Sequence, residues 1–363
     1  MKKHAIIPIF IPHMGCKESC VFCDQKQITA RSKAPSPEDV RTTIDTWMTT
    51  LDPDETVIEI AFYGGSFTAI PESMQNMYLE VAKVYLDDGI IDGIHLSTRP
   101  DCIDEETLDR LSSYGVKTIE LGVQSFDDEV LTLSKRGHDA ETAKNACRLI
   151  KSYSKKGHEF RLGIQLMVGL PGDTLVSCIH SAWETVSLKP NLARIYPTVV
   201  LDGTELMEMY KNGDYSLLTR DEAIARTKAI YEILHSAGIY IMRVGLKSTD
   251  IINSENLGAI NIGTYHPAFR QLVEGEIARE RIEELIADAI QSLTNMAKPD
   301  SSQEPRVEIT VYCSPTWISN AVGHEGVNKE YFRAKYPNIK VSFSADDSMS
   351  PNNYRIEIIT APR

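Results

Sequence analysis

Through the first 245 or so residues, two hydrophobic patterns take turns. Short β-branched or apolar runs stand at Thr56 to Phe62, Thr118 to Val123, Phe160 to Val168, Leu192 to Tyr196 and Tyr240 to Val244. Between them lie stretches whose apolar residues recur every three or four positions, as Val40, Ile44, Trp47 and Leu51 do. The first pattern predicts strands and the second predicts amphipathic helices. Helix starts are marked as well. Ser36-Pro37-Glu38 supplies an N-cap, a proline at the first helical position and an acidic first turn. Asp104 and Asp139 open two more helices, and Thr219 with Glu222 has the spacing of a capping box. Strand-helix alternation of this kind implies parallel strands joined by crossover helices. About six such units fit before residue 245, short of the eight in a complete barrel. The expected fold is therefore α/β, a partial (β/α)6 barrel of the TIM type over residues 1–248.

The pattern changes toward the C-terminus. Arg279 to Met296 reads as a helix, so residues 249–296 are expected to form a helical extension closing the barrel. Residues 297–305 are polar, carry two prolines and read as a linker. Strand, helix, helix, strand, strand follow, at Val307 to Tyr312, Pro315 to Val322, Val327 to Tyr336, Ile339 to Ser344 and Tyr354 to Ile359. Residues 306–363 are thus expected to form a small α+β domain.

Composition narrows the class. The 363 residues are 42% hydrophobic and 25% charged, ordinary for a globular protein. A net charge of -13 argues against a general polyanion binder. Residues 306–363 carry seven Lys/Arg against six Asp/Glu, so the acid lies before them. No apolar run is long enough to span a bilayer, and the start at Met1-Lys2-Lys3 leads to no small-residue cleavage signal. No membrane association and a cytoplasmic location are expected.

The seven cysteines carry the chemistry. Cys102, Cys147, Cys178 and Cys313 are scattered, and read as small buried apolar residues. Cys16, Cys20 and Cys23 instead form a C-x3-C-x2-C cluster, with Gly15 before it and Phe22 beside its last member. Three thiolates on one short loop can hold an iron-sulfur cube and leave one iron without a protein ligand. A structural zinc site is the competing reading, and would need His13 or a distant cysteine as fourth ligand.

This spacing, at the end of a first strand and with an aromatic before the last cysteine, resembles the radical S-adenosylmethionine (radical SAM) signature. Further motifs extend the resemblance over roughly residues 5–250. They are Phe62-Tyr63-Gly64-Gly65-Ser66-Phe67-Thr68, Ser97-Thr98-Arg99-Pro100-Asp101, Gly122-Val123-Gln124-Ser125 followed by Arg136-Gly137-His138, and Gln165 through Gly172. The series is most similar to the Elongator catalytic-subunit branch, and more distantly to oxygen-independent coproporphyrinogen oxidase.

The resemblance implies one [4Fe-4S] cluster on Cys16, Cys20 and Cys23, with SAM chelating its open iron. It implies reductive cleavage of SAM to a 5′-deoxyadenosyl radical, and a flavodoxin- or ferredoxin-type reductant. Gly64, Gly65 and Ser66 would meet the methionine amino group, Gln124 and Arg136 would hold the cofactor as a polar pair, Gln165 would reach the ribose, and Phe22 would flank the cofactor. A glycine pair after a strand suits close backbone approach, and an arginine suits a carboxylate. Taken alone, Gln124 and Gln165 also fit ordinary strand-end hydrogen bonding. Relatives often carry Glu where this chain has Ser97, which removes an ion pair expected there.

Substrate is less legible. About 115 residues follow residue 248, too few for a connecting region plus an acetyltransferase domain, so the acetyl-CoA reaction of Elongator-like proteins is not expected. The β-α-α-β-β tail resembles a KH-type nucleic-acid-binding fold. Its Gly323-His324-Glu325-Gly326 loop, with Lys329 and Arg333 after it, would clamp a single strand. Glu325 opposes that reading, and the same tail equally suits packing or assembly. Arg99, Tyr196, Arg243, Tyr265 and His266 are candidates for the substrate side, although Tyr265 and His266 also read as a turn with buried aromatics. The functional expectation is a radical SAM enzyme modifying RNA, tRNA in particular. The alternatives are a radical SAM enzyme acting on a small metabolite and an iron-sulfur scaffold. No catalytic residue is assigned.

Overall fold

The computed structural model describes residues 3–11, 16, 20–23, 33–153, 157–246, 264–296 and 306–361. The chain divides into two compact units, Met1–Pro267 and Ala268–Arg363.

In the first unit seven parallel strands pair in chain order. They are β1 (Lys3–Ile11), β2 (Thr56–Gly64), β3 (Gly93–Thr98), β4 (Val116–Gln124), β5 (Arg161–Val168), β6 (Leu192–Pro197) and β7 (Tyr240–Val244). The helices between them are α1 (Pro37–Met48), α2 (Glu72–Asp87), α3 (Glu105–Ser113), α4 (Asp128–Leu133), α5 (Ala140–Ser152), α6 (Leu175–Leu188), α7 (Glu205–Asn212) and α8 (Arg220–Ser236). Six strand-then-helix units are followed by a seventh strand, and β1 and β7 are the two edges of a curled half-barrel. The barrel is therefore partial, as expected, with one strand more than the six repeats.

Local sequence signals explain the boundaries. Ser36 and Asp39 close a capping box on α1, and Thr219 and Glu222 close another on α8. Asp104 and Asp139 cap α3 and α5 by accepting from Thr107 and Thr142. The inner strands are buried on both faces: in β2, Ile58 and Ile60 on one face are as inaccessible as Ala61 on the other. Among the described residues no helix is long and apolar enough to cross a membrane.

The second unit begins earlier than the sequence pattern suggests. Its first helix is α9 (Phe269–Met296). Ala278, Ile282 and Ile286, four residues apart, pack with Ile309, Val311 and Cys313 of β8 (Arg306–Cys313) into one core. Ala321 of α10 (Ile318–Val322) and Phe332 of α11 (Val327–Lys335) complete that core. The expected boundary near residue 300 is corrected to Pro267/Ala268, because the apolar stripe of α9 finds its complement on β8. The polar segment 297–305 falls within the second unit's span and lies outside the described residues. The element order after residue 306 is β-α-α-β-β, as expected. Strand β8 lies between β9 (Ile339–Ala345), parallel to it, and β10 (Tyr354–Ala361), antiparallel.

Candidate functional site

The cysteine loop leaves the end of β1 and is held by backbone on two sides. The Val21 N–H donates to Ser134 O at 3.2 Å, and Leu206 N–H donates to Val21 O at 2.8 Å. Val21 thus bridges the end of α4 and the start of α7. It is buried with Val200, Leu206, Met207 and Tyr215, and Phe22 packs against that cluster. A turn closed by Cys23 N–H to Cys20 O, 3.1 Å, keeps the last two cysteines together. None of the seven cysteines is in a disulfide. Among the described residues no three His, Cys, Asp or Glu side chains converge as a ready-made metal site. His13 and Gly15 lie outside the described residues.

The glycine element packs against the end of β1, the strand that leads into the cysteine loop. Gly64 has φ +109°, and a Cβ there would stand 2.6 Å from Ile11 O. Gly65 N–H donates to the same carbonyl at 2.8 Å. Only glycine permits that backbone and that approach. Ser66, buried, places its Oγ 3.5 Å from Cys16 Sγ. The motif therefore joins the ends of β1 and β2 next to the first cysteine.

At the ends of β4 and β5 the expected polar set does come together. Gln165 Nε2 donates to Gln124 Oε1 at 3.1 Å. Arg136 donates from Nη2 to Gly122 O at 2.5 Å and from Nη1 to Cys20 Sγ at 3.0 Å, with its guanidinium 5.9 Å from the Phe22 ring centre. Its Nε is buried without a partner. Gln124 sits at φ +74°, a left-handed conformation that costs a non-glycine residue and concentrates at functional sites. A bulge in the β4–β5 register coincides with it.

Arg99 stands just past the end of β3. Its Nε and Nη2 form a two-pronged ion pair with Asp101, 2.9 and 3.0 Å, while Nη1 is buried and unpartnered. His138 Nδ1 stands 3.9 Å from Asp101 Oδ1. Burial, then the charge of Arg136, lowers the His138 pKa to about 4, so this imidazole is neutral at pH 7. Burial of Asp101 opposes its charge, but the Arg99 pair outweighs burial and holds the carboxyl below the usual range.

Beneath these groups the half-barrel encloses a charged layer that sequence reading missed. Arg194 on β6 donates from Nε to Glu120 of β4 at 2.7 Å, from Nη1 to the Tyr196 hydroxyl at 3.0 Å, and from Nη2 to the Tyr63 hydroxyl. His95 of β3 is 3.5 Å from the same Glu120 oxygen and meets the Tyr63 ring edge-on. Burial alone would raise the Glu120 pKa; Arg194 and then His95 reverse this and lower it. The signal available was a single polar residue set among apolar ones in each of four strands, Tyr63, His95, Glu120 and Arg194. Tyr196 belongs to this layer. Tyr265 is buried with Val199, Leu201 and Leu246, the packing role that its sequence also allowed. Arg243 is on β7, and His266 follows Tyr265.

In the second unit, Gly323 has φ +82° and a Cβ there would stand 2.8 Å from Asn328 N. The Asn328 amide donates to Gly275 O of α9 at 2.8 Å, and His324 Nδ1 is 3.2 Å from Gln271 Oε1. This loop is thus built into the unit's own packing. Beside it runs a groove of about 480 Å³ lined by Val322, Lys329, Arg333, Ile339, Lys340, Val341, Ser342 and Phe343. Arg333 pairs with Glu330, and Lys340 lies 3.4 Å from Glu308.

Comparison with known proteins agrees with this arrangement. The profile of the Radical SAM superfamily matches residues 10–182, and that of the Radical_SAM C-terminal domain matches residues 190–279. The chain belongs to the radical SAM superfamily and is a radical SAM enzyme. Within it, the chain is Elongator-like. The tRNA uridine(34) acetyltransferase of Methanocaldococcus jannaschii is 35% identical over 132 residues, which are 36% of this chain and 24% of that protein. Elongator complex protein 3 of Mus musculus is 28% identical over 178 residues, 44% of this chain and 32% of the relative. An uncharacterised protein of M. jannaschii is 29% identical over 221 residues, 60% of this chain and 63% of its own. The chain thus spans about a quarter of the acetyltransferase that it matches. The archaeal Methanocaldococcus infernus Elp3 structure superposes with a TM-score of 0.60 at 21% identity, covering 77% of this chain and 64% of that one, which shows the fold.

Proposed function

We propose that Cys16, Cys20 and Cys23 hold one [4Fe-4S] cluster, that SAM binds beside it, and that the protein modifies RNA, tRNA in particular. The observation that carries the cofactor reading is the convergence of Gln124, Gln165 and Arg136 with Cys20 and Phe22. The donor set fits the group: three thiols on one anchored loop, a hydroxyl at Cys16 and a guanidinium already on Cys20. Such a cluster, when bound, would supply the one-electron chemistry that cleaves SAM and generates the radical needed to take hydrogen from a substrate. The chain's own groups do the rest. Arg136 offers a fixed cation for a carboxylate, Gln124 and Gln165 present amides at the strand ends, and the Val21 clamp fixes the loop. A flavodoxin- or ferredoxin-type donor supplies the electron from outside.

Cys147 and Cys178 take no part. Burial pushes the Cys147 thiol up to about 12; burial, then Asp173, pushes Cys178 up as well, so neither is a ready nucleophile.

The RNA part rests on the groove beside the glycine loop and on the tRNA uridine(34) acetyltransferases among the relatives. Its apolar floor suits unstacked bases, and Lys329, Arg333 and Lys340 suit phosphates. A metabolite substrate, with the tail used for assembly, is favoured by one observation: Gly323 is already required by packing against Asn328. Anaerobic reconstitution should load about four irons per chain and, on reduction, release 5′-deoxyadenosine from SAM. Replacing all three cysteines with alanine should abolish both. Bulk tRNA should bind the full chain in a salt-dependent way, weakened by Lys329→Ala with Arg333→Ala. Binding unaffected by that pair would move the assignment to a metabolite.

A further inference from the structure

We infer that Arg99 sets the charge environment of the cluster site, with Asp101 as its counter-charge, and is not a substrate contact. This rests on the reading that Cys16, Cys20 and Cys23 hold a cluster. The guanidinium is buried, its side chain 5% exposed, and two of its three nitrogens are fixed by Asp101. The third, Nη1, is buried without a hydrogen-bond partner. An unpaired N–H of a buried cation is expensive, and a native site keeps one where another group completes it. Geometry places it beside the cysteine loop: Thr98, just before it, bonds at 2.6 Å to Thr68 of the element whose Ser66 lies 3.5 Å from Cys16 Sγ, and Asp101 stands 3.9 Å from His138, two residues beyond the Arg136 that donates to Cys20.

The position of Arg99 is fixed by its strand end. Cys102 N–H donates to Arg99 O at 3.2 Å, and Thr68 Oγ1 ties Cys102 O and Thr98 Oγ1 together at 2.6 Å each. Arg136 brings a second guanidinium onto Cys20.

A four-iron cluster gains one negative charge on reduction. A cation held nearby in a water-poor setting stabilises the reduced form more than the oxidised one, and an anion does the reverse. Arg99 therefore makes the cluster easier to reduce, and Asp101 trims that effect. Arg99 is a positioning and tuning residue; its role is read in the potential, not in turnover.

The test is the cluster midpoint potential of the full chain, reconstituted anaerobically without SAM and titrated with a low-potential reductant under electron paramagnetic resonance. Arg99→Gln should shift the midpoint to more negative values, and Arg99→Lys should recover part of the shift. Asp101→Asn should move it the other way. Equal potentials in wild type and both neutralising variants, at full iron loading, would overturn the inference. If Arg99→Gln fails to load iron, Asp101→Asn decides alone: a shift toward less negative values supports the role, and no shift refutes it. A wild type that takes up no cluster would overturn the functional reading itself, a result distinct from a loaded wild type whose variants share its potential.

Discussion

Arg194 and Arg99 are both buried arginines held by carboxylates within the same half-barrel, yet their surroundings differ in kind. Arg194 has a partner at every nitrogen: Glu120, Tyr196, Tyr63 and, on Nη2, the Met242 sulfur at 3.2 Å. At the strand ends above, Arg99 keeps one nitrogen unpartnered and so does Arg136. Around Arg194 the lower layer is closed; the ring nitrogens of His95, one of them 3.5 Å from Glu120, are its buried groups without a hydrogen-bond partner. The upper one is open in its hydrogen bonding, and its backbone is strained at Gln124. Closed networks hold strands in register, whereas a buried donor without an acceptor marks where something else binds.

If the lower layer is structural, breaking it should cost the most. Glu120→Gln leaves the Arg194 charge buried without its counter-ion, with an expected loss of about 3–5 kcal/mol. Chemical denaturation of the apo protein measures it. The double variant Glu120→Gln with Arg194→Met should recover much of that loss, since it removes the stranded charge too. A loss below about 1 kcal/mol for the single variant would mean that the network relaxes by admitting water, and the contrast between the two layers would fail.

The upper layer should respond next, through pH. His138 is fully buried and its pKa is lowered to about 4 from the ordinary 6.5. Between those values the unfolded chain takes up a proton that the folded one refuses, so stability falls as pH drops from 6.5 toward 4. The expected loss is about 3 kcal/mol by pH 4. Asp101, with its lowered pKa, adds a further loss at still lower pH. His138→Asn should flatten the first part of the pH–stability curve and leave the second.

Arg136 comes third, and its expected signature is binding. Arg136→Gln should weaken SAM affinity by about tenfold to a hundredfold, the worth of one charged hydrogen bond. Stability should change less than in Glu120→Gln, because the guanidinium Nε has no partner to lose. Equilibrium dialysis under anaerobic conditions, beside a denaturation curve, separates the two effects. Unchanged affinity would remove Arg136 from the cofactor.

The comparison also explains what the sequence made legible. Alternating strands and helices were readable because the inner strands are buried on both faces and every crossover helix but α2 carries a side-chain cap, as α1 does with Ser36 and α8 with Thr219. Cys16, Cys20 and Cys23 were readable because their spacing is local. Gln124, Gln165 and Arg136 were readable only through the family resemblance, since 12 to 41 residues separate them in the chain. The layer of Tyr63, His95, Glu120 and Arg194 went unread: each polar residue stands alone in an apolar run, and only closure of the sheet makes them neighbours. The α9 stripe was visible, but its partner was not. Ala278, Ile282 and Ile286 fit a barrel wall as well as they fit β8, and nothing in their spacing chooses between the two.

The smallest effect should come from an ion pair of the same chemistry left in water. Lys135 and Glu205 approach to 2.6 Å, with side chains 55% and 47% exposed. They join the loop after α4 to the first turn of α7, the two elements that clamp Val21 by backbone. Glu205→Gln should lower stability by under about 1 kcal/mol, and the difference should vanish in high salt, because solvent screens an exposed pair. The Val21 hydrogen bonds are main-chain and survive the substitution, so iron loading should not change either. A loss above about 2 kcal/mol, or a fall in iron uptake, would show that the clamp depends on this pair and that exposure is a poor guide to which charges hold the site together.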